Sequence, residues 1–205
     1  MIFGDSNTKG LDPKKLNANV NSLSGATIDS MLSFMSTSLN TETTVRGVVF
    51  HLGSNNLIKD STEDMEKKMN QLITDSHKKY PNAKIAICHL PNWNEADGQK
   101  IRKINTLLTE NESIQFIQVT HYFQSDNKHY NQRGLAILAM NIKRWMSRNN
   151  LINYRYQAPG NATHYNNTFP AVQQQQTPWM NWPMPGLYNG NFPAMLKNFM
   201  QFPRS

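Results

Sequence analysis

A serine that could act as a nucleophile stands close to the start of the sequence, directly after a short apolar stretch. The chain begins MIFGDSN, so Ile2 and Phe3 run straight into Gly4, Asp5 and Ser6. A strand that ends in such a turn would present the serine hydroxyl to solvent. A serine hydroxyl is a weak nucleophile alone and needs a base within hydrogen-bond reach. The chemistry that this residue suggests is acyl transfer, provided that the chain supplies the base.

A histidine and an aspartate that could assist the serine lie far along the chain, in the segment SDNKH. The imidazole of His129 is suited to act as the base, because histidine exchanges protons near physiological pH. Asp126 stands three residues earlier. In a turn before a helix, this spacing lets the carboxylate orient the imidazole and stabilise its charged form. The sequence therefore offers Ser6, His129 and Asp126 as a candidate catalytic triad.

Acyl transfer also needs hydrogen-bond donors for the negative charge that develops on the substrate oxygen. Ser6 and Gly25 each offer a backbone N–H, and Asn55 offers its side-chain amide. Gly25 suits this role because it has no Cβ to block a close approach. Each short motif alone is typical of a turn or a helix cap. Their order at the ends of successive predicted strands is what favours a hydrolytic site.

The elements that must position these residues are predicted from the spacing of apolar side chains before residue 150. Helices between strands imply crossover connections and a parallel sheet covered on both faces. Polar residues after the strands should then converge on one crevice, because ligands of such sheets bind beyond the carboxyl ends of the strands. Strands are predicted at 2–3, 20–23, 45–52, 83–90 and 114–119, and helices at 62–80, 97–108 and 131–148.

The order of the motifs resembles that of the SGNH hydrolases, the superfamily of GDSL-like esterases and lipases. The likeness rests on GDSN at 4–7, Gly25, GSN at 53–55 and DNKH at 126–129, and it covers roughly residues 1–148. It implies an α/β fold, a three-layer α/β/α sandwich with a flavodoxin-like, five-stranded parallel sheet. It further implies a triad of Ser6, His129 and Asp126 and an oxyanion hole from Ser6, Gly25 and Asn55. The implied activity is the hydrolysis of acyl esters with no metal or organic cofactor.

Two positions depart from the pattern of that family. Asn7 follows the candidate nucleophile where the family often has leucine, although the form GDSN is a common variant. Asn56 ends the third motif where the family usually has aspartate. Asn56 keeps hydrogen-bonding capacity but loses a charge, which bears on the geometry of its loop. None of the chemically required residues is lost.

A change of composition near residue 150 predicts two regions, a hydrolase-type domain at 1–149 and a disordered tail at 150–205. The tail contains a run of four glutamines at 173–176, seven of the ten prolines and ten of the twenty aromatic residues. It lacks the apolar periodicity that a packed core requires. Its scattered aromatic residues could bind a partner or promote self-association, or they could have no role in the folded protein.

Charge and cysteine content limit the classes of function. The net charge is +7, which admits an anionic partner such as nucleic acid, but no dense basic run supports one. No apolar stretch approaches the about 18–20 residues that span a membrane, and no signal peptide is recognisable.

Cys88 is the only cysteine and lies in an apolar run, which predicts a buried side chain and favours a reducing, cytoplasmic setting. The abrupt start suggests a fragment of a longer protein and predicts a weak first strand.

Several other side chains near strand ends are secondary candidates. His51, His89 and His121 could line the substrate crevice or, less expectedly, bind a metal, although such histidines usually bond to a neighbouring loop. Trp93 could form a wall of the crevice or lie on the surface.

Two functions from different classes follow from the sequence. The leading one is a serine esterase that acts on short-chain or acetyl esters of small molecules, glycans or lipids. The alternative is a non-catalytic or auxiliary SGNH-like module of a retrotransposon-type or multidomain protein associated with nucleic acid, because similar domains occur in the first open-reading-frame proteins of some LINE-type retrotransposons. The basic balance and the tail fit the alternative, whereas the complete set of chemical residues favours the esterase. The oligomeric state stays open.

Overall fold

Five parallel strands form a single sheet in the order β2-β1-β3-β4-β5. The computed structural model describes residues 1–37, 41–91, 97–119, 122–126 and 128–152. Trp93, His121 and the predicted tail from residue 153 onward lie outside these ranges. The strands are β1 (Ile2–Gly4), β2 (Val20–Ser22), β3 (Gly47–His51), β4 (Lys84–Cys88) and β5 (Gln115–Ile117). The α-helices are α1 (Pro13–Leu16), α2 (Ile28–Thr37), α3 (Thr62–Lys79), α4 (Gly98–Glu110) and α5 (Gln132–Arg148), and a 3₁₀ helix spans Ser6–Thr8.

The strand order confirms the predicted flavodoxin-like, doubly wound topology. The chain moves outward in one direction from β1 to β2 and in the other from β3 to β5, so the order reverses between β1 and β3. Ligands of such sheets bind at this reversal, beyond the carboxyl ends of the strands. The loops that follow β1 and β3 carry Ser6 and Asn55, so both candidates lie at that point.

Two hydrophobic cores, one on each face of the sheet, confirm the predicted three layers. Helices α2, α3 and α4 cover one face, and α1 and α5 cover the other. Alternating strand residues supply the two cores, so that Phe3 belongs to the first and Ile2 to the second. Cys88 lies in the second core, where burial raises the pKa of its thiol far above the usual range. This agrees with the predicted role of Cys88 as a small buried side chain.

The first strand is short but is held on both sides. Its register places Ile2 beside Val20 of β2 and Val49 of β3. Phe3 is buried and stacks on Phe50 of β3, with ring centroids 5.7 Å apart. The sequence predicts a weak anchor for Ser6, and the structure instead gives an internal strand bonded to two neighbours.

Helix α3 begins where the sequence predicts, because Ser61 caps it by accepting a hydrogen bond from the Asp64 amide. Helix α2 is not among the predicted elements. It packs Ile28 and Met35 into the core beside α3 and directly follows the loop that carries Gly25. None of the helices in the described ranges is both long and apolar enough to cross a membrane.

Candidate active site

The turn after β1 holds Ser6 in a fixed and partly exposed position. Asp5 is buried, and its Oδ1 accepts a hydrogen bond from the Asn7 amide at 2.9 Å, which caps the 3₁₀ helix. Thr8 donates its hydroxyl to the Asp5 carbonyl at 2.9 Å. A Cβ at Gly4 would overlap the Thr8 side chain, so this turn requires glycine there. Ser6 becomes the first residue of a helix, a position whose N–H has no partner within the helix.

The three residues of the candidate triad form a continuous chain of hydrogen bonds. The Ser6 Oγ lies 2.9 Å from His129 Nε2. His129 Nδ1 lies 2.6 Å from Asp126 Oδ2. The tautomer that satisfies both bonds carries its proton on Nδ1 and accepts the Ser6 hydroxyl at Nε2. The structure therefore brings together residues that are 123 positions apart in the sequence.

The loop before α5 fixes the carboxylate of Asp126. Its Oδ1 accepts hydrogen bonds from the backbone amides of Lys128 and His129, at 2.9 and 3.0 Å. The His129 carbonyl accepts a further bond from the Gln124 amide at 2.7 Å. The bond from the His129 ring, together with those from the two amides, holds the pKa of the Asp126 carboxyl well below its usual range. Asp126 therefore stays ionised near neutral pH and can stabilise a protonated imidazole.

Asn7 connects the nucleophile turn to the residues on both sides of His129. Its Nδ2 donates to the Lys128 carbonyl at 3.3 Å, and its Oδ1 accepts from the Tyr130 amide at 2.9 Å. Asn7 is buried, so water does not replace these partners readily. Sequence reasoning noted Asn7 only as a departure from the family pattern. A polar residue beside the nucleophile was the signal that could have identified it.

Replacing Asn7 by leucine is expected to lower kcat for a short-chain aryl ester by about 10- to 100-fold. The reason is that the His129 ring would no longer be held at hydrogen-bond distance from Ser6. The Tyr130 amide is buried and would lose its acceptor. Asn70→Leu, at an exposed position on α3, is the matched control. Steady-state kinetics on both variants make the comparison. Equal kcat values for the two would show that the Asn7 bridge does not position His129.

The loops that carry Gly25 and Asn55 meet beside the nucleophile turn. Asn55 Nδ2 donates to the carbonyl of Ala26 at 2.9 Å, which joins the two loops. The Leu23 amide donates to the Gly4 carbonyl at 2.9 Å and so ties the Gly25 loop to β1. Gly25 has a φ of +75°, a left-handed conformation that favours glycine, and a Cβ built there would meet nothing within 4 Å. Glycine is therefore favoured at this position by its backbone conformation and not by a lack of space for a side chain.

Two of the secondary histidine candidates, His51 and His89, form hydrogen bonds with other side chains of the protein. His51 is buried, its Nε2 lies 3.2 Å from the Tyr130 hydroxyl, and its Nδ1 lies 3.6 Å from Asp5. His51 is therefore held by neighbouring residues of the fold, which is the usual role of a histidine at a strand end. His89 stacks on Phe116, and its burial lowers the pKa of the imidazole. Among the described residues, no group of three or more His, Cys, Asp and Glu side chains could hold a metal ion.

Comparison of the sequence with known proteins gives no match. No protein-family model fits the chain, and no curated protein matches it.

Comparison of the structure gives several similar folds. A member of the lipolytic G-D-S-L family from Veillonella parvula is 17% identical over 72% of this chain and 97% of its own, with a TM-score of 0.58. The family 3 carbohydrate esterase of Clostridium thermocellum is 17% identical over 72% of this chain and 92% of its own, with a TM-score of 0.53. The OSK domain of Drosophila Oskar is 15% identical over 70% of this chain and 86% of its own, with a TM-score of 0.54. The fold that the resemblance implies is confirmed: the chain adopts the same α/β/α fold as these proteins, with a five-stranded parallel sheet.

Proposed function

We propose that the protein is a serine hydrolase that cleaves acyl esters. The observation that carries this proposal is the chain of hydrogen bonds from Ser6 Oγ through His129 to Asp126, at 2.9 and 2.6 Å. The fold alone does not carry it, because one fold hosts many functions. Serine hydrolases of the triad type use this arrangement, with a nucleophile bonded to a base and the base oriented by a carboxylate.

The proposed reaction proceeds in two halves through an acylated serine. His129 Nε2 takes the proton of the Ser6 hydroxyl as Oγ attacks the carbonyl carbon of the ester. Asp126 stabilises the imidazolium that forms. His129 then gives its proton to the leaving alcohol, and the acyl group stays on Ser6. A water molecule, activated by His129, attacks this acyl group, releases the acid and restores the Ser6 hydroxyl.

The oxyanion formed in each half is proposed to bind the backbone N–H groups of Ser6 and Gly25 and the side chain of Asn55. An amide nitrogen carries two hydrogens, and the bond to Ala26 uses one of them. The second would face the substrate oxygen. The bond to Ala26 also fixes the Asn55 side chain before the substrate arrives, which is the preorganisation that oxyanion stabilisation requires.

A small acyl group, such as acetyl, is the substrate that the open site favours. The side chains of His129 and Asp126 are each 44% exposed, and Gly25 is exposed as well. These residues lie at the surface of the described part of the chain rather than at the base of a deep apolar pocket, the kind of site that a long acyl chain would occupy. The similar fold of a carbohydrate esterase makes sugar acetates one class to test.

The protein is expected to hydrolyse 4-nitrophenyl acetate faster than the octanoate ester, because the exposed site offers no deep apolar pocket for a long acyl chain. Asp126 does not limit the rate near neutral pH, because its lowered pKa keeps it ionised. Initial rates for both esters at neutral pH measure the effect. A rate equal to the uncatalysed background would contradict the proposed function.

No contact among the described residues specifically favours the alternative, a non-catalytic module associated with nucleic acid. The tail on which it depends lies outside the described residues. A binding module would also have no need for the bonds that align Ser6, His129 and Asp126.

A further inference from the structure

A buried asparagine lies next to the proposed oxyanion hole, and its side chain bonds to two adjacent residues at the start of α2 and to one residue of its own loop. Asn56 is 1% exposed. Its Oδ1 accepts a hydrogen bond from the Ile28 amide at 2.9 Å. Its Nδ2 donates to Asp29 Oδ2 at 3.0 Å and to Asp60 Oδ2 at 2.6 Å. Both ends of this side-chain amide are therefore used by the protein itself.

Two lysine side chains, Lys68 and Lys100, bond to the same aspartates or to the loop that carries Asn56. Lys68 of α3 forms ion pairs with Asp29 at 2.8 Å and with Asp60 at 2.9 Å. These two bonds raise the pKa of Lys68. Partial burial opposes ionisation of Asp29, but the bonds from Lys68 and Asn56 outweigh it and hold the pKa of Asp29 below its usual range. Lys100 of α4 donates to the carbonyls of Leu57 and Asp60, which pins the backbone of the loop.

Asn55 and Asn56 both connect the loop after β3 to the segment that follows Gly25. Asn55 holds the Ala26 carbonyl, and its neighbour Asn56 holds the Ile28 amide two residues further on. Gly25 immediately precedes this pair of attachment points. We infer that Asn56 is a positioning residue, which sets the distance between the Gly25 and Asn55 donors. This role rests on the proposed function.

The charges around Asn56 explain why an asparagine occupies this position rather than the aspartate usual in the family. A carboxylate at position 56 could still accept from the Ile28 amide. It would lose both donated bonds and would face Asp29 and Asp60 at hydrogen-bond distance. Three carboxylates would then share one lysine, and the repulsion between like charges would displace the loop. The neutral amide is thus matched to the two aspartates of this chain.

Asn56→Asp is expected to lower kcat for an aryl acetate by about 10- to 100-fold, because it displaces an oxyanion donor without removing the triad. The KM should change far less than kcat, since the donors act mainly on the transition state. Asn70→Asp adds the same charge at an exposed position of α3 and is expected to leave kcat unchanged. Asn56→Ala removes the bonds without adding a charge and replaces the charged variant if that variant does not fold.

A double-mutant cycle with Asn55→Ala separates positioning from general destabilisation. Asn55→Ala alone should cost about 10²- to 10³-fold in kcat, the usual effect of losing one oxyanion donor. In that background the Asn56 substitution should cost clearly less than it does in the wild type, because the donor that it positions is already absent. Effects that multiply, or an Asn56 variant with wild-type kcat, would overturn the inference. A wild-type protein without Ser6-dependent turnover would instead overturn the proposed function.

Discussion

Replacing Ser6 by alanine is expected to lower kcat for 4-nitrophenyl acetate by about 10⁶-fold, as the loss of a serine nucleophile does in other triad enzymes. The hydroxyls of Thr8 and Ser54, in the turns after β1 and β3, are poorly placed to substitute for it, because both residues are buried. Thr8 also donates to the Asp5 carbonyl and lies 2.6 Å from the Ser22 hydroxyl. The fold should be unaffected, because the cap that Asp5 provides does not involve the Ser6 side chain.

The control for this variant is Ser36→Ala, an exposed serine on α2 whose hydroxyl bonds only within its own helix. It should keep the activity and the melting temperature of the wild type. Turnover by Ser6→Ala above about one per cent of wild type would exceed what the oxyanion donors alone supply, and would place the nucleophile elsewhere.

Replacing Asp126 by asparagine is expected to lower kcat by about 10²- to 10⁴-fold. The new side chain would keep an oxygen for the amides of Lys128 and His129, so the loop should retain its shape. Its NH₂ group would face His129 Nδ1 in place of the carboxylate oxygen now 2.6 Å away. The ring would then carry its proton on Nε2, which could no longer accept the proton of Ser6.

The same substitution should also change how stability depends on pH. The pKa of Asp126 is lowered on folding by its bonds from His129 and Lys128. Its ionised form therefore stabilises the native state above the ordinary pKa of aspartate, and this contribution is lost as the pH falls towards the lowered value. Melting temperatures at neutral and acidic pH should differ less for Asp126→Asn than for the wild type. The exposed Asp64→Asn is the control for activity, and a wild-type kcat in Asp126→Asn would contradict the triad.

The strands and the long helices could be predicted because their signals are local. The β-branched run at 45–52 predicts a strand, and β3 spans Gly47–His51. The start of α3 follows from Ser61 and the acidic first turn. Helix α2 was missed although its apolar residues stand at helical spacing, at Ile28, Met31, Leu32 and Met35. Thr27 caps the Ser30 amide locally, but the Ile28 amide is held by Asn56 from the next strand's loop.

Some features of the candidate site could likewise be predicted from the sequence, and others could not. The types and order of Ser6, His129 and Asp126 indicate acyl transfer, and the sheet topology explains why they meet. The bridge made by Asn7 and the cluster around Asn56 depend on partners that are distant in the sequence and are joined only by the fold. Sequence reasoning recognised both positions as departures from a family pattern, but the reason for each departure lies in tertiary contacts.

Covalent labelling is the most direct test of Ser6 as the nucleophile. The native protein would be treated with a small organophosphorus probe, digested and examined by mass spectrometry. A single adduct is expected on the peptide that contains Ser6, because His129 activates its hydroxyl. No adduct is expected in Ser6→Ala or in the unfolded protein. A native protein that forms no adduct, or an adduct that persists in Ser6→Ala, would contradict the role of Ser6 as the nucleophile.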